Sequence, residues 1–218
     1  NTWRRTWGRE KRNVVWQACC HCSAMPCPAR RPGGKLPTIG RMSSAFIDNY
    51  RFLARYNSWF NERLYAACDT LGDTQRLQDH GAFFGSIHGT LNHLVWGDTM
   101  WLQRFNAQGD GFVALGGGVL GLPAGATYGT VLEPGWAALK ARRERLDAAI
   151  EAWVTQMPED FPLRTMRYAN TRGVWREHPV WQAMTHFFNH QTHHRGQVTT
   201  LLSQAGVEVG VTDLIALV

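Results

Sequence analysis

Ala183-Met-Thr-His186-Phe187-Phe-Asn-His190-Gln-Thr-His193-His194-Arg195-Gly-Gln197-Val-Thr-Thr-Leu201 carries the clearest pattern in the chain. Ala183, Phe187, His190, His194 and Leu201 follow one another at steps of four, three, four and seven, tracing one seam of an α-helix. A bundled helix turns such a seam toward its neighbours. Two imidazoles one turn apart therefore stand where leucines ordinarily pack. Buried without partners, they would cost on the order of a few kcal/mol. A cation removes that cost, because histidines at i and i+4 present both ring nitrogens to one point. A pair of core histidines bonded to other side chains is the competing reading, and the doubled placement on the seam favours metal.

Moving outward, the rest of the chain supplies partners for that helix. Ile47, Tyr50, Leu53, Ala54, Asn57, Phe60, Leu64 and Ala67 recur at helical steps from Ser44 to about Leu71, where Gly72 stops them. A second helix is expected from about Gly81 to Asn106, through Phe84, Ile87, Leu91, Leu94, Val95, Trp101, Leu102 and Phe105. Pro134 is well placed to open a third, which runs through Leu139, Leu146, Ile150, Trp153 and Val154 and ends before Pro158. Leu163–Tyr168 and Val174–Arg176 flank Asn170-Thr-Arg-Gly173 and read as a short hairpin, after which Pro179 opens the last helix and Gly206 closes it. The expected fold is all-α: a four-helix bundle with a long helix 2–3 connection and a short hairpin before the last helix. That connection contains Gly116, Gly118 and Gly121 at dinucleotide-fingerprint spacing, but a helix precedes them and Pro123 follows, so the nucleotide reading fails.

A third ligand should come from a facing helix. His93, mid-way along the second helix in Leu91-Asn-His93-Leu, is the better candidate, since His88 lies five residues away and points elsewhere. His190-Gln-Thr-His-His194 also has the spacing of the metallopeptidase H-E-x-x-H, but Gln191 cannot serve as the general base that motif requires. Together, Tyr56-Asn57, Leu91-Asn-His93-Leu with Gly97-Asp98, and His190-Gln-Thr-His-His194-Arg-Gly-Gln197 resemble the DinB/YfiT-like family over about residues 42–206. The resemblance implies a four-helix bundle, often dimeric, that holds a divalent metal through His93, His190 and His194. It also implies chemistry like that of thiol-dependent S-transferases and a maleylpyruvate isomerase. The function expected is a divalent-metal-dependent enzyme, a thiol S-transferase or hydrolase acting on a small molecule, with a low-molecular-weight thiol as co-substrate. A non-catalytic metal-binding stress-response protein is the alternative.

Three imidazoles leave coordination positions open, which suits catalysis, and they accept zinc, nickel or manganese alike. Weaker site candidates surround them. Gln197 could orient a water or a polar substrate group. Arg195 could anchor an anion or form a surface ion pair, and Asn57 could donate to the site or bond another helix. Gly196 reads as a close-approach glycine, His193 as rim or surface, and His186 as a neighbour of the ligands.

Composition bounds the remaining classes. The chain has 218 residues, 44% hydrophobic and 18% charged, enough for one compact core. Its charge of +6 is unevenly distributed: residues 1–41 hold nine basic residues against one acidic, the remainder fourteen against sixteen. Arg142, Arg143 and Arg145 alternate with Glu144 and Asp147 and read as a solvated face, so no nucleic-acid surface is expected on the body. Residues 1–41 read as a basic, disordered extension added ahead of a natural start at Met42, and 42–218 as the metal-binding domain. Cys19, Cys20, Cys22, His21 and Cys27 lack finger-like spacing for zinc, and no signal peptide or membrane span is recognisable. With only Cys68 in the body, a reducing cytoplasmic setting is expected, the partners being a small-molecule substrate and a second copy in a homodimer.

Overall fold

The computed structural model describes residues 39–109 and 111–218. Four long helices, one short helix and a two-stranded hairpin make up its regular structure: α1 (Ile39–Asp69), α2 (Asp73–Leu77), α3 (Ile87–Asn106), α4 (Trp136–Gln156), β1 (Thr165–Ala169), β2 (Trp175–Pro179) and α5 (Val180–Gln204). α1 and α3 each pack against both α4 and α5, so every long helix has two long neighbours. The expectations for residues 1–38, among them those for the cysteine cluster, lie outside the described residues. No helix among those described is long and apolar enough to cross a membrane.

The apolar seams form one core. Tyr50, Ala54, Phe60 and Leu64 of α1 are buried with Leu91, Leu94 and Leu102 of α3, Leu146, Ile150 and Trp153 of α4, and Phe187, Val198 and Leu202 of α5. Trp153 and Phe105 stack at 5.0 Å near its centre, with Phe187 edge-on to both.

α3 begins six residues later than its apolar period suggests. Gly81 and Gly85 have φ of 67° and 71°, a left-handed backbone that breaks a helix, and Ser86 caps α3 by accepting the Gly89 N–H at 3.0 Å. α2 was not expected. It exists around Arg76, whose guanidinium is buried against the carboxyl end of α1, donating to the Cys68 carbonyl at 2.8 Å and to the Leu71 carbonyl. A cation there satisfies carbonyls that the helix leaves unpaired. The hairpin forms on the expected Asn170–Gly173 turn, with Thr165 opposite Pro179 and Ala169 opposite Trp175.

A buried polar layer corrects the reading of the arginine-rich face of α4. Arg142 remains near the surface with Glu133, but Arg143 and Asp147 are buried. Arg143 bonds Asp98 of α3 at 2.5 Å and Asp147 at 2.7 Å. Asp147 in turn accepts from Asn57 at 2.7 Å and Asn61 at 2.9 Å, both on α1. Arg195 of α5 joins this layer by donating to the Asn57 amide oxygen, with the Phe60 ring 4.7 Å away. Buried charges are tolerated when paired and hydrogen-bonded. Asp147 shares α4 with Arg143, but Asp98, Asn57, Asn61 and Arg195 lie on other helices, and so are invisible in the pattern of α4 alone.

Candidate metal centre

His93 comes from α3, His190 and His194 from α5. The rings meet edge to face in all three pairings, with centroids 5.1, 4.5 and 4.4 Å apart for 93–190, 93–194 and 190–194. One ligand atom from each lies within 4.8 Å of the other two, and His93 Nε2 stands 3.1 Å from His190 Nε2. His93 and His194 are buried and His190 half-buried.

Backbone and amide acceptors fix the tautomers. His93 Nδ1 lies 3.0 Å from the Tyr128 carbonyl oxygen, which can only accept, so the proton sits on Nδ1 and the Nε2 lone pair is free. His194 Nδ1 donates in the same way to Gln197 Oε1 at 2.7 Å, freeing its own Nε2. Burial drives the His93 pKa down to about 4, and burial with four neighbouring imidazoles takes His190 down to about 3. Burial also lowers His194. All three rings are neutral at pH 7, the state in which imidazole ligates a metal. Neutral lone pairs converging on one point from fixed tautomers fit a divalent cation.

Three supports of this arrangement were not read from the sequence. Gly97, one turn after His93, lets the His190 ring approach: a Cβ built there would lie 2.8 Å from His190 Cε1. Its place at i+4 from a candidate ligand was the available signal. Phe84 stacks on His93 at 3.9 Å and meets His194 edge-on at 5.5 Å. Tyr128 holds its carbonyl in place because the loop before α4 is tied to α3. Asn92 accepts from the Glu133 N–H at 2.8 Å and donates to the Glu133 carbonyl, which also bonds His88 Nε2 at 2.9 Å.

The weaker candidates separate. Gln197 accepts from His194 Nδ1, a contact to a ring rather than to the water or substrate group expected of it. Arg195 is buried in the polar layer, so neither the anion anchor nor the surface ion pair describes it; burial pulls its pKa down to about 10. Asn57 takes the helix-to-helix alternative. Gly196 is not a close-approach residue, since nothing lies within 4 Å of a Cβ placed there; Gly97 has that role. His193 is exposed, 3.3 Å from Gln197 Nε2 and edge-on to the His194 ring at 4.8 Å. His186 is exposed beside Trp101 and His190. Gln191 is buried with both amide atoms unpartnered among the described residues.

Residues 42–217 match the model of the DinB family. The chain belongs to the DinB family. It is also similar to Protein DinB of Bacillus subtilis (strain 168), at 24% identity over 178 residues that cover 74% of this chain and 88% of that one. No solved structure matches it. The DinB match spans α3 and α5, and so includes all three histidines of the cluster.

Proposed function

We propose that this DinB-family chain is a four-helix-bundle metalloenzyme in which His93, His190 and His194 hold one divalent ion, and that it transfers a thiol sulfur to, or hydrolyses, a small molecule. The carrying observation is the pair of fixed tautomers, which leave the Nε2 atoms of His93 and His194 unprotonated beside His190. A single N–H from His190 can satisfy only one of these two lone pairs, whereas a cation satisfies both. A bound ion would supply Lewis acidity toward a thiol or water. The protein's own part is to keep three rings neutral, to set their angles through Tyr128 and Gln197, and to shield one side with Phe84.

Zinc, nickel and manganese all suit this donor set. The same reading includes a low-molecular-weight thiol as co-substrate, a cytoplasmic setting and a homodimer. Protein loaded with each metal in turn, incubated with thiols and electrophiles, should consume thiol with at least one of them, and His194→Ala should remove that turnover. Full metal occupancy with no thiol consumption or hydrolysis across the panel would instead support the non-catalytic stress-response reading.

A further inference from the structure

Beside the three histidines lies a second feature with its own chemistry. A cleft of about 270 Å³ is lined by Trp96, Trp101, Arg104, Tyr168, Asn170 and His190, among others. That is near the small end of the range for ligand sites. Among the described residues, no carboxylate lines it.

Among the described residues, Arg104 is the only permanently charged member of the lining. Its guanidinium lies 4.7 Å from the Trp101 ring centroid and 4.6 Å from that of Tyr168, and one nitrogen donates to the Ala169 carbonyl at 3.3 Å. It has no acidic partner among the described residues, unlike the buried Arg143. Burial lowers its pKa, as expected for a half-buried cation that has lost water without gaining a counter-charge. Other donors accompany it. The Trp96 indole N–H is buried without an acceptor, and Asn170 uses its amide oxygen on two backbone N–H groups of the hairpin turn, leaving its NH₂. The lining therefore offers donors and a positive charge against aromatic walls, and lacks acceptors of negative sign.

We propose that this cleft seats the substrate of the three-histidine centre, and that the substrate is a small monocarboxylate. Its anionic end pairs with Arg104, and its flat or apolar body lies along the aromatic wall toward His190. A single guanidinium matches one carboxylate in charge and in its planar pair of donors. The reaction at the inner end rests on the metal-site reading above, but binding of the carboxylate does not.

Calorimetry on the full chain tests the two separately, with benzoate as the probe, benzamide as its neutral isostere and inorganic phosphate as a different anion. In protein stripped with a chelator, benzoate should bind at least tenfold more tightly than benzamide or phosphate. Arg104→Gln should weaken benzoate at least tenfold without changing zinc stoichiometry, and Arg104→Lys should restore part of the loss. Equal binding of benzoate and benzamide, phosphate binding as tight as benzoate, or no benzoate binding at millimolar concentration overturns the proposal; the first comparison needs no variant. Benzoate binding that requires zinc and ignores Arg104 also overturns it. Tight benzoate binding by a chain that takes up no zinc when zinc is supplied would sustain the cleft and sink the metal reading instead.

Discussion

At the scale of single residues, the site depends on what Gly97 leaves out. An alanine there places its methyl 2.8 Å from His190 Cε1, and the ring has to turn or withdraw. Replacing a helical glycine by alanine gains up to about 1 kcal/mol in helix propensity. Gly97→Ala is therefore expected to leave thermal stability nearly unchanged while weakening zinc at least tenfold, measured by competition with a chromophoric chelator. Gln197 acts by a different route, through the proton on His194 Nδ1. Removing such an orienting acceptor typically costs about 10- to 100-fold in metal affinity. Gln197→Ala should show that loss and Gln197→Glu should recover it, since a carboxylate accepts the same proton. Two members of the three-histidine cluster were legible because seam spacing alone sets His190 and His194 on one face, and His93 because a facing helix had to supply the third ring. The role of Gly97 is not legible in the sequence, because it depends on the His190 ring arriving from another helix.

At the scale of elements, α3 is where sequence pattern and structure part. Phe84 fits the helical period but lies in the turn before Ser86, where Gly81 and Gly85 have positive φ. Local backbone chemistry overrides apolar spacing there, and the result puts Phe84 against His93 rather than in a helical seam. The polar layer was hidden for a related reason. Arg143 and Asp147 at i and i+4 look like an exposed ion pair until Asp98 is brought in from α3 and Asn57 from α1. Asp98→Ala removes one of the two carboxylates facing Arg143 and leaves a buried cation short of charge. Breaking such a pair from one side costs about 3–5 kcal/mol. Urea denaturation should show a loss of that order, whereas Arg145→Ala, at an exposed position, should change little.

At the scale of the whole molecule, acid acts on the site and the fold together. His93 and His190 titrate near 4 and 3 in the folded protein, against 6.5 for a free side chain. The unfolded chain thus takes up protons first as the pH falls below 6.5, so the stability held by the neutral rings is lost progressively toward pH 4. Asp147 has the opposite sign: burial raises it to about 6, and its contribution is lost as the pH rises from about 4 to 6. Two rings outweigh one carboxyl. Metal-free protein should therefore be less stable at pH 4 than at pH 7 by on the order of 3 kcal/mol, read from denaturant midpoints. Bound metal should stay in place down to about pH 5, because protons do not compete for these nitrogens until the folded values are approached. The overall organisation of long helices and hairpin was readable from helical period and turn residues; the end-on packing of the loop before α4 was not, since Asn92 and His88 fix it through backbone atoms of Glu133.

Elemental analysis of the purified chain after zinc loading and desalting is the most direct check on the three-histidine centre. One equivalent of zinc is expected in the native protein and in His193→Ala, falling below about a tenth of an equivalent in His93→Ala, His190→Ala and His194→Ala. Retention of zinc in His93→Ala, or equal loss in His193→Ala, would contradict it.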